Sequence, residues 1–225
     1  METNDVTRVG ADAPLAHAID RLTARSHAFL VGAGISFPAG VPTAAPFRLK
    51  LLHGLGLNEV DITQYIRANV PFESLVEVLM GLTDCTALLQ LFRGREPALG
   101  HRVIARLAKC NLVSVIITTN FDCLLEAALA SEGVSFDVLT SERSFDSLDW
   151  SSPHLLLIKL HGTIDDLDEL AITIRKVAAR QFADIRGKVV RDLLAQDLDD
   201  GLIILGHYWP VKLQGLAASN SCTIG

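Results

Sequence analysis

The chain is 225 residues long, 49% hydrophobic and 20% charged, enough apolar content to bury a core in one or two domains of ordinary size, which excludes global disorder. Its 20 Lys and Arg stand against 26 Asp and Glu, a formal net charge of −6, and no dense basic block offsets that balance, so nucleic-acid phosphate and anionic membrane are poor partners. Residues 1–20 are polar and acidic where a secretory signal needs a basic start and an apolar centre, and no apolar run approaches the ~18 residues of a spanning helix, which predicts a soluble, unprocessed, cytoplasmic protein.

Taken in chain order, four short apolar runs stand out: HAFLV at His27–Val31, VSVIIT at Val113–Thr118, LLLIKL at Leu155–Leu160 and LIIL at Leu202–Leu205. Each is nearly continuous rather than alternating, the pattern of strands covered on both faces in a parallel sheet. Between the first two lie the helical patterns Ile62–Asn69, Phe72–Leu82 and Pro97–Lys109, the second carrying Phe72, Leu75, Val76, Leu79 and Met80 on one stripe. The stretch from about 47 to 110 is too long for one crossover and reads as a helical insertion beside the sheet. After the second run, Phe121, Leu124, Leu125, Ala128 and Leu129 repeat the helical spacing, predicting a helix from near Phe121. Leu170–Ile174 reads as a short strand or a loop, followed by a helix around Lys188–Leu198. Strands alternating with amphipathic helices define an α/β, doubly wound parallel sheet. With no repeats and no Pro/Ser-rich linker, residues 1–225 read as one domain, and the small polar stretch after Pro210 reads either as a frayed tail or as a chain cut short.

The four cysteines, Cys85, Cys110, Cys123 and Cys222, form no CxxC pair and have no His at ligand spacing, so neither a zinc ribbon nor a disulfide framework is signalled, and all four read as buried thiols in a reducing compartment. No metal site is expected, since the histidines form no HExxH or related pattern. His101 is among those set aside. The acidic groups Asp165, Asp166, Asp168, Glu169 and Asp197, Asp199, Asp200 read as solvated turns.

Three strand ends carry polar chemistry. In HAFLVGAGIS the first strand runs directly into Gly32, Ala33, Gly34 and Ser36. Glycines there let the backbone bend tightly and bring N–H groups to a phosphate, or they serve a structural turn alone. The full GxGxxG pattern fails because Phe37 occupies its third glycine position, so a dehydrogenase fingerprint is excluded. The second strand ends in Thr118, Thr119 and Asn120; Asn120 is either a polar group facing the crevice or an N-cap, with Asp122 near the helix start. The third ends at His161 and Gly162, where an imidazole with an ordinary pKa of about 6.5 can exchange a proton near neutrality. The fourth ends in Gly206 and His207 and borders the same edge.

The ordered set GAGIS with Gly40–Val41–Pro42, then TTNFD (Thr118 to Asp122), then KLHG (Lys159 to Gly162), resembles the sirtuin family. That resemblance implies a Rossmann-like NAD-binding sheet with a smaller helical module. It implies that Gly32, Ala33, Gly34 and Ser36 line the NAD pyrophosphate, that Thr119, Asn120 and Asp122 hold the nicotinamide ribose and its pocket, that His161 is catalytic, and that Gly206 and His207 border the adenosine. Only Cys222 follows His161, so the four-cysteine zinc module of the family's deacylases is missing. Zinc-free, helix-inserted domains of this kind are similar to bacterial NAD-hydrolysing effectors of anti-phage defence, which assemble with themselves or with another defence-system protein.

Three functions follow from the resemblance: an NAD glycohydrolase releasing nicotinamide and ADP-ribose, a module that binds NAD or ADP-ribose without cleaving it, and an NAD-dependent deacylase or ADP-ribosyltransferase. The first is the expectation, with Asn120 and His161 as its catalytic pair.

Overall fold

The computed structural model describes residues 26–82, 89–93, 96–166, 170, 180–195 and 202–206. Strand β1 (His27–Val31) leads into two 3-10 turns, Ala33–Ile35 and Phe37–Ala39, then into α1 (Ala44–Gly54), α2 (Glu59–Arg67), α3 (Phe72–Leu82), a 3-10 turn at Gln90–Phe92 and α4 (Leu99–Lys109). The chain continues through β2 (Val113–Thr118), α5 (Leu124–Ser131), β3 (Phe136–Leu139), α6 (Glu142–Asp146), β4 (Leu155–Lys159), α7 (Arg180–Ala195) and β5 (Leu202–Leu205).

The strands form one five-stranded sheet in the order β3-β4-β2-β1-β5, every neighbouring pair parallel. The continuous apolar runs are explained by what covers each face. Phe29, Val31, Ile116 and Leu157 pack with Ile104 and Ala108 of α4 and Leu125 and Leu129 of α5. Their neighbours Ala28, Ile117, Leu156 and Ile158 point the other way, against Phe145 of α6 and Val189 and Leu193 of α7. Alternate residues therefore meet different helices, and neither face can be polar. This is a doubly wound, Rossmann-type sheet whose carboxyl edge gathers the ends of β1, β2, β4 and β5.

Several boundaries differ from the sequence expectation for local reasons. Helix α2 begins at Glu59, ahead of the apolar stripe, because the Asn58 side chain caps it by accepting from Val60 N at 2.9 Å and Asp61 N at 3.0 Å. Helix α5 begins at Leu124 rather than near Phe121, since Asn120 and Asp122 bond elsewhere (below) and hold residues 119–123 out of helical geometry. Strand β3, absent from the sequence expectation, is an edge strand with only Leu139 buried, so it lacks the continuous apolar run of the others. Strand β4 stops at Lys159. Cys110 is exposed and Cys123 half-buried, which corrects the reading of both as buried thiols: the first lies just past the end of α4, the second in the 119–123 loop. Cys85, Cys222, Asp168, Glu169, residues 171–174, residues 196–200, His207 and the tail after 210 lie outside the described residues.

Helices α1 to α3 make a layer with its own core of Leu52, Ile62, Leu75 and Leu79. An aromatic chain ties that layer to the sheet: Phe47 and Phe92 meet edge-on with ring centroids 4.8 Å apart, and Phe92 meets Phe121 of the β2 end at 4.9 Å. No helix among the described residues is long and apolar enough to cross a membrane.

Candidate functional site

The bend after β1 is held by its own backbone. Gly32 N–H donates to Leu205 O and Gly34 N–H to Gly206 O, both at 2.8 Å, while Ile35 N–H and Ser36 N–H turn back onto Gly32 O and Ala33 O. A Cβ on Gly34 would lie 2.8 Å from Gly206 O, and one on Gly206 would lie 2.8 Å from Gly32 O. Both glycines are required because two backbone segments touch here, and Gly206 in addition has φ +68°. Among the described residues, the Ala33 N–H alone in the bend has no backbone acceptor.

The bend presents a carbonyl as well as donors. Gly32 O accepts from Asn120 Nδ2 at 3.1 Å, and Ser36 Oγ accepts from the same nitrogen at 3.1 Å. A carbonyl can only accept, so the atom of the amide that faces Gly32 must be nitrogen, which fixes the orientation of the side chain. Asn120 Oδ1 is left buried with no hydrogen-bond partner among the described residues. Asn120 N–H donates to Thr118 Oγ1 at 2.9 Å, so this residue is not the cap of α5; instead Asp122 Oδ1 accepts from Leu124 N at 3.1 Å.

Behind Ser36 stands His101, fully buried near the start of α4. Its Nδ1 accepts from Ala98 N at 3.1 Å, leaving Nε2–H to donate to Ser36 Oγ at 3.1 Å. Burial holds the His101 pKa below its ordinary value, with nearby Asp122 acting the other way, so the neutral ring that this tautomer requires is favoured. The sequence reading set His101 aside because it sought metal spacing, whereas its contact with Ser36 spans 65 residues.

A cleft of about 240 Å³ lies between the strand ends and the helical layer. From the sheet it is lined by Ala33, Thr119, Asn120, Phe121, Asp122 and His161; from the other side Phe72 and Phe92 complete an aromatic wall with Phe121, and Glu73 of α3 stands beside it. Of the site residues expected from sequence, Ala33, Thr119, Asn120, Asp122 and His161 line the cleft, Ser36 supports Asn120 from behind, and Gly32, Gly34 and Gly206 build the bend. His161 is half-buried at the cleft. Gly162 follows with φ +76°, the left-handed turn that brings the chain back toward Phe121, whose carbonyl accepts from Ile164 N at 2.8 Å.

Beneath the cleft, Lys159 Nζ donates to Asp122 O at 2.7 Å and to Glu126 Oε1 at 2.5 Å. Burial pushes the Cys123 thiol up to about 11, with Lys159 acting against it, so this cysteine is a poor nucleophile at neutral pH. No group of three or more His, Cys, Asp or Glu side chains suited to a metal ion occurs among the described residues. The arrangement offers an oriented carbonyl acceptor, an imidazole and a carboxyl around an aromatic-walled cleft, a combination able to hold a sugar and move a proton beside a flat cationic ring.

Residues 114–207 match the family model described as a SIR2-like domain, so this part of the chain is similar to that family. A solved chain from work on the structural basis for the mechanism and regulation of Sir2 enzymes aligns at 21% identity over 65% of this chain, with a TM-score of 0.34. The alignment spans 45% of that structure's own length. No curated protein sequence matches the chain.

Proposed function

We propose, from the premise that the chain carries a sirtuin-like domain, that it is an NAD glycohydrolase converting NAD and water to nicotinamide, ADP-ribose and a proton. The observation that carries this reading is the placing of Asn120 in the wall of the cleft that His161 also lines, with its Nδ2 committed to Gly32 O and Ser36 Oγ and its Oδ1 buried without a hydrogen-bond partner among the described residues. An acceptor held this way suits a ribose hydroxyl or an attacking water, each of which brings a donor.

Nicotinamide leaves readily because its ring is already cationic. The C1′–N bond breaks with its electron pair passing to the ring nitrogen, and positive charge develops on the ribose. The carboxyls of Asp122 and Glu73 at the cleft suit a cationic ring and that developing charge. Asn120 Oδ1 would orient the sugar or the water, and His161 would take the proton as the water oxygen bonds to C1′. The Ala33 N–H is the bend's donor toward a phosphate; Gly206 with His207 would lie on the adenosine side.

The finer reading is of a cytoplasmic effector in bacterial anti-phage defence that acts in an assembly, with itself or with a second defence protein. It rests on the motif resemblance, and on apolar side chains left exposed in the helical layer, such as Leu82 at 75% and Val60 at 65%. Nicotinamide release by purified protein, compared with His161→Ala, tests the chemistry. Loss of about 10²-fold or more with an unchanged circular dichroism spectrum is expected; full turnover by the folded variant would remove His161 from the mechanism.

A further inference from the structure

Lys159 is completely buried at the end of β4, and none of the chemistry above uses it. Its ammonium has three N–H groups and faces the Asp122 carbonyl at 2.7 Å, Glu126 Oε1 in α5 at 2.5 Å and Thr163 Oγ1 at 3.2 Å, with Cys123 Sγ further off at 4.0 Å. Asp122 lies two residues after Asn120 and Thr163 two residues after His161. The ammonium therefore stands at the junction of the two segments that carry the cleft's reacting groups.

A buried ion pair is a poor device for stability alone, because removing both charges from water offsets most of their attraction. This one is poorer than most, since Glu126 Oε2 is buried without a partner among the described residues, and burial pushes the Glu126 carboxyl up while Lys159 pulls it back. What the pair does supply is geometry. The Ile164 N–H bond to Phe121 O and the contacts of Cys123 Sγ with Thr163 Oγ1 at 3.4 Å and Asp165 Oδ2 at 3.1 Å join the same two segments, and the lysine adds a fully buried, charged tie between Asp122 O and Thr163 Oγ1.

We propose that Lys159 is a positioning residue that sets the separation of Asn120 and His161 across the cleft by tying the 119–123 loop to the 161–163 turn. The role in turnover rests on the NAD glycohydrolase reading; the tie itself does not. The test is the double variant Lys159→Met/Glu126→Leu, which strands no charge. It should keep the wild-type melting temperature within a few degrees. Amides of 119–123 and 161–164 should exchange with solvent about tenfold faster than in the wild type, while those of β1 and α4 stay protected. With NAD, kcat should fall about 10- to 100-fold and KM move less than about threefold, as expected for reacting groups displaced by a fraction of an ångström to an ångström.

Wild-type exchange in both segments overturns the proposal, as does faster exchange with unchanged kcat, or a lower kcat without loosening. If the double variant does not fold, Thr163→Val removes one arm at nearly constant shape; about a 3- to 10-fold fall in kcat, with faster exchange at 161–164, is then expected, and wild-type values overturn the proposal. A wild-type protein that releases no nicotinamide defeats the functional reading alone, and the exchange measurement then decides whether Lys159 ties the segments.

Discussion

The two bends that follow β1 and β2 sit side by side on one sheet edge and do opposite work. In the first, the N–H groups of Gly32, Gly34, Ile35 and Ser36 are committed to backbone carbonyls, so the glycine-rich segment is a scaffold that supplies Gly32 O to its neighbour. In the second, Asn120 is anchored through one atom of its amide and leaves the other without a partner among the described residues. The difference teaches that a glycine-rich strand end need not be the ligand-gripping part of a site. It can be the part that aims the polar side chain beside it.

Substitutions should separate the two bends. The largest effect is expected in the scaffold: Gly34→Val places a Cβ 2.8 Å from Gly206 O, a backbone clash that β5 can relieve only by moving. Overpacking of this kind costs about 3 kcal/mol or more against backbone, measurable by urea unfolding, and activity should disappear together with stability. A stable Gly34→Val protein with weakened NAD binding would instead make the bend the gripping element. Asn120→Ala should reverse the balance, with nicotinamide release down by about 10²- to 10³-fold and stability down by only about 1 to 2 kcal/mol for its lost hydrogen bonds.

His101→Phe sharpens the contrast one layer further back. It fills the volume while removing the bond to Ser36, so kcat should fall about tenfold with little change in KM. The same variant carries a pH signature. Burial keeps the folded-state pKa of His101 below 6.5, so between that lower value and 6.5 the unfolded chain binds the extra proton. The contribution of His101 is therefore present above pH 6.5 and lost as pH falls through the folded-state value. Wild-type melting temperature should drop more than that of His101→Phe between pH 7 and pH 5; parallel curves would contradict a buried neutral ring. The smallest effect belongs to Arg93→Ala, which breaks the contact with Asp165. Both partners are exposed, at 45% and 57%, so the change should be under about 1 kcal/mol, and turnover should stay within about twofold.

Four of the five strands were legible because burial on both faces writes a continuous apolar run, and three of the four runs match their strands to the residue, while Leu155–Leu160 overshoots β4 by one; the edge strand β3, with only Leu139 buried, was not. The polar strand ends were legible as well, since His161 follows directly on such a run and Asn120 and Asp122 lie two and four residues past another. Less readable was anything set by partners distant in the chain. His101 looks like an ordinary helical histidine until Ser36 is placed against it, and Lys159 looks like a strand-end lysine until Asp122, Glu126 and Thr163 close around it. The loop that delays α5 to Leu124 follows from hydrogen bonds to Thr118, Gly32 and Ser36, which apolar spacing cannot encode. Of the aromatic wall, Phe72 and Phe121 were visible as core-forming residues and Phe92 was not, since its place depends on how the 3-10 turn at Gln90–Phe92 packs against Phe47 and Phe121.

The proposed reaction breaks the nicotinamide glycosidic bond in this cleft with water as the acceptor. Its most direct test is purified protein incubated with NAD alone and with NAD plus an acyl-lysine peptide, with nicotinamide and ADP-ribose quantified together. Equimolar release of both products, indifferent to the peptide, is expected; no release from NAD alone, or release that appears only with the peptide, would contradict it.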